Sequence, residues 1–97
     1  MKASSRRKER PLVSNSSTQV AVIAIIVKSY DAVDALNALL HEYSAYIIGR
    51  MGLPYRGKQM NIISVVMDAP ADIISAVSGK LGRLKGVSSK ALYSKQS

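Results

Sequence analysis

Val20-Ala21-Val22-Ile23-Ala24-Ile25-Ile26-Val27 is a run without a polar residue, and β-branched side chains dominate it. A strand sends alternate side chains to opposite faces. Val20, Val22, Ala24 and Ile26 therefore share one face, and Ala21, Ile23, Ile25 and Val27 the other. Both faces are apolar, so the run reads as a buried central strand. It is far short of the roughly 18 residues a membrane helix needs. Met60 to Met67 repeats the theme, with Ile62 and Val66 on one face and Ile63, Val65 and Met67 on the other.

Between and after these runs the period changes. Val33, Leu36, Leu40, Tyr43 and Ile47 recur at helical spacing, which predicts a helix capped by Ser29 or Asp31 and ending near Tyr46. Ile47 to Tyr55 reads as a strand weakened by Gly49, Gly52 and Pro54, which suits a sheet edge or a bulge. Arg56-Gly57-Lys58 is a turn. Asp68-Ala69-Pro70 predicts the start of a second helix, with Asp68 able to cap it. That helix carries Ile73, Ile74, Val77 and Leu81 on its buried stripe and ends at Gly82 or Gly86. Val87 to Tyr93 alternates as an edge strand would.

The order βαββαβ predicts an α+β, ferredoxin-like domain: a four-stranded antiparallel sheet with both helices on one face. In the usual strand order, 4-1-3-2, the two continuous apolar strands lie in the middle and the broken ones at the edges. One sheet face then lacks cover, and an apolar face of that extent is unusual on a soluble monomer. The expectation is a homo-oligomer, dimer or tetramer, joined there. Ile23, Ile25, Ile63 and Val65 are assigned to that interface, although the pattern itself does not choose between the two registers of the first strand.

Composition adds limits. The chain has 97 residues, no cysteine and one histidine, His41. This is enough for one domain. It excludes disulfides, thiolate metal sites and a cysteine nucleophile. One histidine without cysteine leaves a transition metal short of ligands from one chain, so neither metal nor cofactor is expected. No pair of carboxylates and no serine–histidine context stands out, so the expectation is a protein that is not an enzyme.

The net charge is +8. Lys2, Arg6, Arg7, Lys8 and Arg10 against Glu9 place +4 of it in the first nineteen residues. Residues 1–18 read as a disordered basic tail, and 19–97 as the folded domain. Such a tail keeps a protein soluble, and it also attracts polyanions. Arg6, Arg7, Lys8 and Arg10 are thus candidates for contact with DNA, and a nucleic-acid-binding protein acting through the tail is the alternative reading. A twin-arginine secretory reading fails, because polar residues 14–19 intervene and no small-residue cleavage site follows. The expected location is cytoplasmic, with no membrane partner.

Two further nucleic-acid signatures are weak. RNA-recognition domains of this fold stack bases on aromatics in the central strands, and these strands have none. Gly79-Lys80-Leu81-Gly82 matches the G-x-x-G of a KH loop, but a helix end closed by glycines explains it more simply.

Leu39-Leu40-His41-Glu42-Tyr43-Ser44, Gly49-Arg50-Met51-Gly52-Leu53-Pro54-Tyr55-Arg56 and Ser78-Gly79-Lys80-Leu81-Gly82 with Gly86-Val87, in this order, resemble the iron-only hydrogenase system regulators. That family consists of small ACT-like proteins, similar in fold to the C-terminal domain of nickel-responsive regulators. The resemblance covers about Val20 to Lys95. It implies a ferredoxin-like fold, self-association through the sheet and a regulatory role, including transcription regulation. Nickel binding does not carry over, because the histidines and cysteine of the nickel regulators have no counterparts beyond His41. ACT domains often hold amino acids near the first strand-to-helix turn, here Lys28-Ser29-Tyr30-Asp31 without the usual glycine. The resulting expectation is a small oligomeric sensor module, with Arg50, Gly52, Arg56, Ser29 and Asp31 as candidate ligand-binding residues. Arg50 and Arg56 flank backbone NH groups suited to an anion.

Overall fold

A computed structural model of the protein describes residues 18–95. The basic residues Arg6, Arg7, Lys8 and Arg10 lie outside them. The elements are β1 (Thr18–Val27), α1 (Val33–Glu42), β2 (Ile47–Tyr55), β3 (Met60–Pro70), α2 (Ala71–Gly82) and β4 (Val87–Tyr93). The strands form one antiparallel sheet in the order β2-β3-β1-β4. The two continuous apolar strands are central and the glycine-broken one is an edge. This is the ferredoxin-like α+β arrangement.

The core lies between the helices and one face of the sheet. Ala21, Ile23, Ile25 and Val27 of β1 meet Ile63, Val65, Met67 and Ala69 of β3, and all are buried. Leu36 and Leu40 of α1 and Ile74, Val77 and Leu81 of α2 close over them. Here the register expected from sequence is corrected. Ile23, Ile25 and Val65 are 0% exposed and Ile63 is 8% exposed, so none of these four reaches a free face. The antiparallel pairing decides this. It sets Val20 opposite Asp68, Ala24 opposite Ser64 and Ala24 opposite Lys90. Those polar partners suit water rather than a core, so the face carrying them turns outward.

Two boundaries also shift. Asp68, Ala69 and Pro70 do not open a helix; they extend β3, paired with Val20, Gln19 and Thr18. The N-cap of α2 is Pro70, and no side chain caps it. The α-helical part of α1 stops at Glu42, and a 3₁₀ turn over Ser44–Tyr46 leads directly into β2. The other end is capped as expected: Ser29 Oγ accepts a hydrogen bond from the Asp31 amide at 3.2 Å, in a 3₁₀ turn ahead of α1.

The β1–α1 turn is locked against the loop before β4. The Lys28 amide donates to the Gly86 carbonyl at 2.8 Å. Gly86 has φ +80°, and a Cβ there would lie 2.7 Å from Ser29 Cβ. Glycine is needed for both the left-handed backbone and the close approach.

Candidate functional site

Strand β2 divides its residues between two surfaces. Arg50, Gly52 and Pro54 pair with Val65, Ile63 and Asn61, so they share the helix side of the sheet. Met51, Leu53 and Tyr55 pair with Ser64, Ile62 and Met60, so they share the open side. A bulge between Ile47 and Gly49 sets this phase. The helix side of β2 therefore offers a cation, an absent side chain and a proline where a sealed seam needs large apolar groups. Helix α1 cannot close on it, and a cleft of about 260 Å³ remains.

Val27, Val33, Leu36, Pro54 and Ile63 form much of the wall of this cleft. Arg50, Asn37 and Asn61 are its polar members. Arg50 Nη2 donates to Asn37 Oδ1 at 3.1 Å, a bridge from the edge strand to α1. Beyond the bridge a shallower recess of about 490 Å³ continues along the same seam, past His41, Ser44 and Gly49. Among the described residues, Arg50 has no carboxylate partner and the Asn61 side chain has no hydrogen-bond partner.

Of the candidate ligand residues, the structure brings Arg50 and Gly52 together in the cleft. Arg56 lies in the exposed 3₁₀ turn after β2, and Ser29 and Asp31 lie in the β1–α1 turn; these three line neither recess. Asn37 and Asn61 were not foreseen. Asn37 looks like any polar residue off a helical stripe, and Asn61 like a break in an apolar strand.

The outward surface is the open face of the sheet. Val66, Val22 and Leu92 lie side by side across β3, β1 and β4, and Leu53, Ile62 and Ile26 across β2, β3 and β1. Met51 is 72% exposed, Leu92 73% and Leu53 61%.

The Gly79–Gly82 stretch is not a loop. It belongs to α2, where Gly82 lets the helix approach β4: a Cβ there would lie 3.2 Å from Ser89 Oγ. Ser89 Oγ donates to the Ser78 carbonyl at 2.7 Å. Lys80 turns toward α1. Its ammonium donates to the Tyr43 hydroxyl at 2.7 Å and stands 5.1 Å from the ring centre. This hydrogen bond, and then the charge on Tyr43 when ionised, raise the Lys80 pKa above its ordinary value.

Among the described residues, no three histidine, cysteine or acidic side chains gather closely enough to hold a metal ion. No helix among them is long and apolar enough to cross a membrane.

The fold and the site define a class: a ferredoxin-like α+β domain with one bare sheet face and a small recess beside its second strand. Within that class, the chain belongs to the TM1266-like family, described as "Iron-only hydrogenase system regulator, putative", whose model matches residues 19–91. The uncharacterized protein TM1266 from Thermotoga maritima is similar in structure, with a TM-score of 0.77 and 37% identity, over 80% of this chain and 99% of that one. A formyltetrahydrofolate deformylase from Pseudomonas putida KT2440 shares the fold at a TM-score of 0.54 and 15% identity, over 75% of this chain and 28% of its own. An unknown protein from Galdieria sulphuraria does so at 0.56 and 16%, over 82% and 47%. No curated protein matches the chain. The family's description indicates regulation of the iron-only hydrogenase system.

Proposed function

We propose that the chain is a cytoplasmic, ACT-like, non-catalytic regulatory module that works as a homo-oligomer and senses a small ligand in the α1–β2 cleft, with transcription as its output. The observation that carries the reading is the open sheet face. Its middle rows are apolar across all four strands except at Gly49, Ser64, Lys90 and Ser88. Contiguous apolar surface of this kind marks an interaction site. A second copy suits it, because two sheets pack face to face through their apolar sides.

The non-catalytic part of the reading is supported by the cleft itself. It presents an arginine and two amides, none of them a general base or a nucleophile at neutral pH. The regulatory part is supported by the family's description.

Light scattering on the eluting full-length protein tests the proposal. A dimer or tetramer of the 10.5 kDa protomer is expected. The double substitution Leu53→Asp and Leu92→Asp is expected to release protomers, because each copy would bury two unpaired carboxylates. A wild-type chain that stays a protomer at micromolar concentration defeats the reading.

A further inference from the structure

Resting on the sensor reading above, we infer that the α1–β2 cleft takes a short aliphatic carboxylate, with Arg50 holding the carboxylate and the apolar wall holding the hydrocarbon end.

The charge selects an anion. Among the described residues, Arg50 is the one ionised group lining the cleft. Its Nη2 is fixed by Asn37 at 3.1 Å, which holds the guanidinium across the mouth and leaves its other donors unused. A guanidinium has five N–H donors in a planar fork, and a carboxylate matches two of them side by side. The amide groups of Asn37 and Asn61 add donors beside it.

The wall selects against a purely polar anion. Inorganic phosphate has no apolar part to set against Val27, Val33, Leu36 and Ile63, and any oxygen turned toward those side chains would meet no donor there. Burying unpaired oxygen there is unfavourable. A carboxylate spends both oxygens on the fork and turns an alkyl group to those same side chains.

The volume selects a small ligand. About 260 Å³ lies below the range of roughly 300–1,000 Å³ typical of sites for drug-sized molecules. Gly52 keeps the space open. A Cβ at that position would meet only Ile63 Cγ1, at 3.9 Å, and Gly52 lines the cleft, so a bulky side chain there would take up its space.

Two-dimensional amide NMR on the full chain tests this, with 3-methylbutanoate, its neutral amide and inorganic phosphate as probes. 3-Methylbutanoate is expected to shift the amides of Asn37, Arg50, Gly52 and Asn61 saturably. The neutral amide, and 3-methylbutanoate on Arg50→Gln, should each bind about tenfold to a hundredfold more weakly, the usual value of a charge-assisted hydrogen bond. Gly52→Leu should abolish binding while keeping a dispersed spectrum, and Arg56→Gln should leave it unchanged. The inference falls if 3-methylbutanoate gives no saturable shift, if phosphate binds as tightly, or if Arg50→Gln retains the affinity. Light scattering on the same samples separates the two readings. A protein that associates but binds only phosphate keeps the sensor module and loses the carboxylate. A protomer that binds the carboxylate does the reverse for self-association.

Discussion

The two helices sit on the same sheet, yet one seam is sealed and the other is open. Helix α2 lies close against β4, with Gly82 beside Ser89 and Ser89 tied to the Ser78 carbonyl. Helix α1 leaves a cleft over β2, bridged by a single side-chain hydrogen bond from Arg50 to Asn37. The difference follows from what each edge strand turns toward its helix. β4 turns Val87, Ser89 and Ala91 inward, and these are buried or half-buried. β2 turns Arg50, Gly52 and Pro54 inward, and all three are exposed. Similar topology thus yields a sealed seam on one side and an open one on the other. Strand β2 makes the difference.

If that contrast is physical, equal truncations in the two seams should differ. Leu81 of α2 is 0% exposed and Leu36 of α1 is 1% exposed, so their burial is equal. Large-to-small core changes cost about 2–5 kcal/mol, depending on how far the surroundings can relax or let water in. Leu81→Ala leaves a closed void and should fall near the top of that range. Leu36→Ala enlarges a cleft already open to solvent and should fall near the bottom. Urea unfolding at one fixed protomer concentration measures both. Equal losses would mean that the cleft wall packs as tightly as the sealed seam.

The contrast was only partly legible beforehand. Element order and the bounds of β2 and β4 follow from period and from glycine and proline positions, because those encode local backbone preference, and the strand order follows from the usual arrangement of a βαββαβ chain. The direction of the sheet faces does not. β1 is apolar on both sides, so burial alone cannot orient it, and Ile23 and Ile25 were assigned outward when they face the helices. The orienting information sits on neighbouring strands, in Ser64, Asp68 and Lys90, and becomes readable only once the register is known. Asp68 and Pro70 mimic a helix start because proline and aspartate suit both a strand end and a first turn. Pairing with Thr18 and Val20 settles it. The cleft was half visible. The glycine-bearing segment marked Arg50 and Gly52, but Asn37 and Asn61 come from remote elements that only the tertiary fold brings near.

Glycine substitutions probe the same contrast more gently. Gly52 and Gly82 are the two glycines set into the two seams. Alanine lowers the entropy of the unfolded chain, worth about 0.4–1 kcal/mol where the native backbone accepts it. At Gly52 the added Cβ makes one ordinary contact, so Gly52→Ala should stabilise by about that amount. At Gly82 helix propensity adds up to about 1 kcal/mol in favour of alanine. The new Cβ would nonetheless press on Ser89 Oγ at 3.2 Å, and that hydroxyl is already held by Ser78. Gly82→Ala should therefore gain less than Gly52→Ala. Thermal unfolding of both variants decides it, and a larger gain at Gly82 would show that the sealed seam has slack.

The smallest expected effect lies where the halves meet, at Lys80 of α2 and Tyr43 after α1. The Tyr43 hydroxyl raises the Lys80 pKa, so the folded state holds this proton more tightly than the unfolded chain does. A raised pKa contributes stability that is fully present below the unfolded lysine value, about 10.4, and is lost as pH rises through the folded one. Tyr43→Phe removes the hydroxyl and keeps the ring beneath the ammonium. The wild type should therefore exceed this variant by a constant margin from neutral pH up to the lysine range, and the margin should shrink only above it. Because the pair is only half-buried and partly screened by salt, the margin should be small and should narrow further as ionic strength rises. Urea midpoints across that pH series give the answer. A margin that fades already near neutrality, or that never appears, would mean that the two helices are joined by their apolar faces alone.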